Sequence, residues 1–424
     1  MLSNENQLLL SSTYVKHSSS SHQYVTGLLQ QNLDWDEVMA AASWYAIMPL
    51  LYRCLRDNPE REHVPATVMQ QLKKTYDDIT LRNMYIYATL ARVLPLFKQQ
   101  GIKCVVLKGA MLADTVYSEI GLRPMQDIDL LFHKEDLPAA IAIVTGLGYL
   151  HEGSKSPQLY LDTHHHITYT NPDTDIPIEL HWHISHERHP IRLRITEDAL
   201  ITRWYERVQP VTLSRVEAWT LCPTDLLFHL CLHFLKHRVP KNGELFATSA
   251  ALLQFSDIVH TVYHYGDGID WDDLRHQAEK YRISDLIHTT IKIAMEACVY
   301  KDGTDRLEVN ISNARYRYKK LMYKRLMLHE DMTTPIPEGI LDSVTVHNLR
   351  GIMRAVVKWL LPAKKTLAEK YAISEMDKKM YLYYLANPMN LIRTLLVFIR
   401  QIPRLSEEIR LHKWIGGRYQ TDHE

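Results

Sequence analysis

The sequence predicts an α+β fold. A core of short strands and helices over 101–215 stands between an N-terminal helical region, 1–100, and a larger C-terminal helical region, 216–424. Three observations predict it. Apolar residues recur at helical spacing up to about Gln100, as in Leu50, Leu51, Cys54 and Leu55, and again in Tyr85, Leu90, Val93 and Leu94. Beyond Gly101 the texture changes to short apolar runs alternating with helical stretches, the pattern of a sheet-and-helix core. From Pro223 the helical spacing returns, in Leu226, Leu227, Leu230 and Leu235, and continues to the end.

The serine-rich start, to about Ser20, reads as loose chain. Helices follow, the longest after Pro65 and closed by Gly101. Lys103–Leu107 (KCVVL) is the first strand and runs into a helix; Asp127–Phe132 (DIDLLF) is the second. Glu135–Leu147 is helical and stops at Gly148. Ile167–Thr170 and Ile176–His183 are strands flanking the turn Asn171-Pro172-Asp173, and Arg207–Leu213 is one more. Thr224 or Asp225 is placed to cap the first C-terminal helix.

Composition excludes several classes. Hydrophobic residues are 46% and charged residues 23% of 424, which rules out a disordered or collagen-like chain. Lys+Arg and Asp+Glu are both 49, which argues against a strongly basic nucleic-acid coat. The charge is uneven: residues 301–424 hold 22 basic and 14 acidic side chains, +8, so the first 300 carry −8. A basic C-terminal part suits an anionic substrate, although a solvated helical surface is the plainer account. Five cysteines without a CxxC pair suggest neither a disulfide framework nor a zinc ribbon, and point to reduced thiols in the cytoplasm. The N-terminus lacks the basic-then-apolar pattern of a secretory leader. Met389–Ile402 contains Arg393 and Arg400 and is too short and too charged for a transmembrane segment. The longer amphipathic stretch Pro388–Trp414 suits packing on a helical domain or a partner better than a membrane surface.

The chemistry concentrates in Val105–Phe132. A strand runs into Lys108-Gly109 and then a helix, so a glycine that permits close backbone approach, unpaired helix-start N–H groups and a lysine meet at one place. That is a reasonable phosphate cradle, although a glycine between strand and helix is commonly only a turn. Eighteen residues after Gly109 comes Asp127-Ile128-Asp129. On a strand, Asp127 and Asp129 share one face while Ile128, Leu130 and Phe132 face a core. Two such carboxylates raise each other's pKa unless a cation intervenes, and Mg²⁺ favours one or two carboxylates with substrate phosphates. In Ile176–His183 the same alternation sets Glu179, His181 and His183 opposite Ile176, Ile178, Leu180 and Trp182. If the two strands are neighbours, Glu179 joins the aspartates, and three carboxylates can hold two metal ions.

These motifs resemble the uncharacterised bacterial nucleotidyltransferase family of the DNA polymerase β superfamily. The resemblance rests on Leu107-Lys108-Gly109, Tyr117, Gly121–Phe132 (GLRPMQDIDLLF), Leu147-Gly148-Tyr149 and Ile178–Trp182 (IELHW). It extends to Asp225–Arg238, Ser256-Asp257-Ile258 and Ile269–Leu274, and so covers about residues 85–300. It implies a small mixed β-sheet with flanking helices and a Mg²⁺-dependent transfer of an NMP from an NTP, through two-metal in-line attack, with Mn²⁺ as a possible substitute. Asp127, Asp129 and Glu179 would be the catalytic metal ligands, and Lys108 and Gly109 would hold the β- and γ-phosphates. Two departures stand out: Ala110 replaces the superfamily's serine, and the gap before Asp127 is longer and carries Arg123. Arg123 either contacts phosphate or braces the loop.

There are 23 histidines. His164, His165 and His166 are consecutive, and His181, His183, His186 and His189 surround the IELHW strand. A zinc site is conceivable, but a polar lining that hydrogen-bonds carboxylates is the simpler expectation. His233, Lys236 and His237 share a helix face, and His233 and Lys236 are candidates for nucleotide contact, with Asp257 a counter-ion for one of them. No base-reading motif is visible. With neutral net charge, a small-molecule, peptide or protein acceptor is favoured over RNA, whose binding rests on phosphate contacts. The competing readings are a nucleotide-binding scaffold without turnover and a toxin-like tRNA-modifying enzyme. If the trio is catalytic, Asp129→Ala is expected to abolish transfer with the melting temperature nearly unchanged.

Overall fold

A computed structural model describes residues 3–13, 19–153, 157–184, 197–238 and 250–298. The chain divides into two compact units, 1–236 with 248–328 and 237–247 with 329–424; all the described residues except 237 and 238 belong to the first. Pro388–Trp414, the basic excess over 301–424, and His186 and His189 lie outside the described residues.

The N-terminal region is helical from its start: α1 (Asn4–Ser12), α2 (Ser19–Leu29), α3 (Trp35–Trp44), α4 (Met48–Arg56) and α5 (Ala66–Gln99). Helix α1 corrects the expectation of loose chain. Ser3 caps it by accepting from the Asn6 N–H, and Leu8 and Leu9 are fully buried, so a short leucine run outweighs the serine-rich surroundings. Asp34 caps α3 in the same way, accepting from the N–H groups of Asp36 and Glu37. Helix α5 runs for 34 residues and ends as expected at Gly101. The glycine takes φ +71°, which lets the Ile102 N–H reach back to the Phe97 carbonyl at 2.9 Å.

The core then contributes β1 (Val105–Val106), α6 (Lys108–Thr115), β2 (Ile128–Leu131), α7 (Leu137–Gly146), β3 (Leu150–His151), α8 (Pro157–Thr163), β4 (His166–Asn171), β5 (Ile176–His181), α9 (Glu197–Arg207), β6 (Gln209–Leu213) and β7 (Val216–Thr220). The strands form one mixed seven-stranded sheet in the order β3-β4-β5-β2-β1-β7-β6. The β2–β5 and β1–β7 pairs are parallel and the others antiparallel. The fold is α+β, as predicted. Strands β3 and β7 and helices α8 and α9 were not foreseen. Strand β7 carries Glu217 and a partly exposed Trp219, and only its pairing with β1 and β6 identifies it.

Ile128, Leu130 and Phe132 face the core, and all three are fully buried. Phe132 meets Phe97 of α5 edge-on at 5.1 Å between ring centres. Burial of side chains this size stabilises by about 1.5–3 kcal/mol each, which fixes the face of β2 left for chemistry. The helices α10 (Pro223–Arg238), α11 (Ala251–Tyr265), α12 (Trp271–Lys280) and α13 (Ser284–Cys298) complete the described part. Neither Thr224 nor Asp225 caps α10, which opens at Pro223, a residue suited to a first turn. Their side chains instead accept bonds from elsewhere in the chain: Thr224 from the Asp270 N–H at 2.9 Å, and Asp225 from Gln277 at 3.0 Å. No helix of the described residues is long and apolar enough to cross a membrane.

Candidate active site

Strands β2 and β5 are parallel neighbours, and the register sets Asp129 directly beside Glu179. Register partners on a pleated sheet project to the same side, and Asp127, two residues earlier, projects that way too. Asp129 and Glu179 thus stand together, and Asp127, just before β2, is near enough for both their charges to raise it. His181 follows Glu179 by two residues and joins them: its Nε2 lies 2.9 Å from Asp129 Oδ1 and 3.0 Å from Glu179 Oε2.

Lys108 comes from the other side. It opens α6 with φ +39°, a conformation that costs a non-glycine residue about 1–2 kcal/mol. Two contacts hold it there. The Leu107 N–H bonds the Asp129 carbonyl at 3.0 Å, and Lys108 Nζ lies 2.8 Å from Asp129 Oδ1.

Protonation within the trio is divided sharply. Burial and the neighbouring Asp129 charge push Asp127 up to about 6. Asp127 has no hydrogen bond or ion pair among the described residues. Burial also works against charge on Asp129, but Lys108 and His181 outweigh it and hold Asp129 well below the usual carboxylate range. Glu179 is likewise desolvated, yet the His181 hydrogen bond and charge bring it down to about 2. His181 is raised: burial opposes its charge, and the bonds to Asp129 and Glu179 overcome that.

The remaining candidates separate into groups. A Cβ on Gly109 would lie 2.8 Å from an Arg123 nitrogen and 3.3 Å from Met125, so the missing side chain makes room for Arg123. Arg123 is 9% exposed and all three of its nitrogens are engaged: Nε and Nη2 donate to Asp257 at 3.0 and 2.9 Å, and Nη1 donates to the Pro124 carbonyl at 3.1 Å. Of its two sequence readings, this geometry is the brace. Asp257 accordingly pairs with Arg123, and also accepts from the Tyr117 hydroxyl at 2.9 Å, rather than serving the α10 cations. Ala110 is buried, and its carbonyl accepts from Tyr87 at 2.7 Å.

His233 and Lys236 project from α10 into a small cleft that Lys108, His181, His229 and Trp204 also line. Lys236 Nζ donates to the Ile184 carbonyl at 3.3 Å, which ties α10 to the chain just after β5. Burial and the Lys108 charge hold the His229 imidazole well below its usual range, in the neutral form.

Two positioning residues escaped the sequence reading. Arg82 of α5 donates to the carbonyls of Met125 and Gln126 at 3.1 and 2.7 Å, and Asn83 donates to the Arg123 carbonyl at 2.9 Å. Together they fix the loop that delivers Asp127. The available signal was two polar residues in an otherwise amphipathic helix, and nothing local distinguishes them from a solvated face.

No curated protein matches the sequence. Among solved structures, an antigenic nucleotidyltransferase-like protein from Paracoccidioides brasiliensis aligns at 8% identity, covering 45% of this chain and 76% of that one, with a TM-score of 0.25. A family match is far more extensive and spans residues 31–297, from just before α3 through α13, with the carboxylate trio inside it. By that match, the chain belongs to the family described as uncharacterised nucleotidyltransferase.

Proposed function

We propose that this protein transfers an NMP from an NTP to a hydroxyl or phosphate of an acceptor that is a small molecule, a peptide or a protein. The observation that carries this reading is the side-by-side register of Asp129 and Glu179, with Asp127 close enough to feel both charges. Family membership supplies the reaction class.

The residues present suit Mg²⁺. All three are hard oxygen donors, and Asp127 is a partly buried carboxylate that burial and the neighbouring Asp129 charge push up to about 6. Asp127, Asp129 and Glu179 would hold the ions, two in number, with Mn²⁺ as the substitute. Bound there, Mg²⁺ neutralises the triphosphate and favours the ionised acceptor oxygen.

The chain's own groups do the rest. Lys108 offers a cation beside Asp129, and the first turn of α6 has no side-chain cap, so its N–H groups are available to phosphate oxygens. Lys108 and Gly109 therefore take the β- and γ-phosphates. His181 holds Asp129 and Glu179 in register until the ions arrive. His233 and Lys236 approach the nucleotide from α10. Arg123 acts from behind Gly109 through Asp257 and does not touch phosphate.

The test is pyrophosphate release with ATP, GTP, CTP and UTP in a cell lysate, with mass spectrometry of the products. Mg²⁺-dependent release and a nucleotide mass added to one species are expected. Both disappear in Asp127→Asn, with k falling by about 100-fold or more. NTP binding without release in the wild type would favour the scaffold reading. A nucleotide mass on tRNA would favour the toxin-like one.

A further inference from the structure

Beside the carboxylate trio is a second cluster of a different chemistry. In the β4–β5 ladder His166 stands directly opposite His181, and His165 precedes it. One ligand nitrogen from each of His165, His166 and His181 lies within 4.8 Å of the other two. His166 Nδ1 and His165 Nε2 are 3.0 Å apart. Glu179 borders the group, with Oε1 3.8 Å from His166 Nε2 and Oε2 3.0 Å from His181 Nε2.

We propose that His165, His166 and His181 form a three-imidazole site for a borderline transition cation such as Zn²⁺ or Co²⁺, with the fourth position left to solvent. One nitrogen from each imidazole starts within 4.8 Å of the other two, and small side-chain rotations bring such atoms to the roughly 3.3–3.4 Å that ligands keep around a tetrahedral ion with bonds of about 2.0–2.1 Å. The frame is rigid enough to keep it: the His165 carbonyl accepts from the N–H groups of Trp182 and His183 at 3.1 and 3.3 Å, which locks His165 to the end of β5. His165 and His181 are both buried, 5% and 3% exposed. Imidazole donors select such ions over Mg²⁺, which the all-oxygen trio prefers. The two sites meet at His181, whose Nε2 also contacts Asp129 and Glu179. This proposal stands whether or not the protein transfers nucleotides.

Cobalt tests it on the full chain, because tetrahedral Co²⁺ absorbs strongly in the visible and six-coordinate Co²⁺ weakly. Metal-free protein titrated with Co²⁺ is expected to develop the strong bands at about one equivalent. His165→Ala and His166→Gln are each expected to raise the apparent Kd by about tenfold or more. His63→Ala, at the exposed Glu60, Glu62 and His63 cluster, and Asp127→Asn are expected to keep the bands. Excess Mg²⁺ should leave them in place, which tests the site even where a histidine variant fails to fold. Weak six-coordinate absorption, bands unchanged in both His165→Ala and His166→Gln, loss in His63→Ala, or bleaching by Mg²⁺ would each overturn the proposal.

Discussion

Asp127 and Asp129 are two residues apart on one strand face, yet their protons are held in opposite ways. Asp129 has Lys108 at 2.8 Å and His181 at 2.9 Å; Asp127 has no such partner among the described residues. The two therefore respond differently to removal. Asp129 is 4% exposed, and Asp129→Ala leaves two buried cations facing each other, so it is expected to destabilise by about 3–5 kcal/mol. Burial thus replaces the expectation of an unchanged melting temperature, and Asp127→Asn becomes the cleaner catalytic variant. Its sign follows from linkage. A carboxyl raised to about 6 from 3.8 favours the folded state only while protonated, below about pH 4, and that contribution is lost as pH rises through 6. Without metal at pH 7, Asp127→Asn is therefore expected to be more stable than the wild type, by at most about 3 kcal/mol. The gap should close below pH 4, as read by melting temperature across pH.

At the scale of elements, the site depends on two clamps from outside the sheet. The Arg123–Asp257 pair joins the loop before β2 to α11 and is nearly fully buried. Breaking it with Arg123→Met is expected to cost about 3–5 kcal/mol, whereas Arg123→Met with Asp257→Leu should recover much of that loss. A double-mutant cycle in urea measures the difference. Arg82, by contrast, is partly exposed and works on backbone carbonyls. Arg82→Ala is expected to lower the melting temperature by only a few degrees, about 1 kcal/mol. It should weaken Mg²⁺ or NTP binding several-fold by loosening the approach to Asp127. Unchanged affinity in calorimetry would remove Arg82 from the positioning role.

Across the described unit, acid stability reports the same network. Asp129 is held well below the carboxylate range, and Glu179 is held at about 2. A lowered carboxylate stabilises above its unfolded pKa and loses that contribution as pH falls through its folded one. Metal-free protein should therefore lose urea resistance between about pH 4.5 and 2. His181→Ala should begin that loss at higher pH, because it removes a cation common to both acids.

Several parts of this design were legible in the chain itself. The alternation in DIDLLF and IPIELHWH fixed which side chains share a face, because a strand has a period of two wherever it is placed. Gly101 and Gly148 marked helix ends, because both adopt positive φ, which other residues resist. Local chemistry of this kind acts within a few residues and is written in their order. Other features had no such signature. Strand β7 exists through pairing with β1 and β6, and Arg82 acts across 43 residues on Met125. Arg123 found Asp257 across 134 residues, although the sequence offered it phosphate or the loop. Likewise, Lys108 and His181 reached the same carboxylate from opposite directions. The sequence thus determined the faces, the helix ends and the identity of the acids. Only the tertiary structure decided which charge neutralises which, because buried partners are chosen by distance in space and by the cost of leaving a desolvated charge alone.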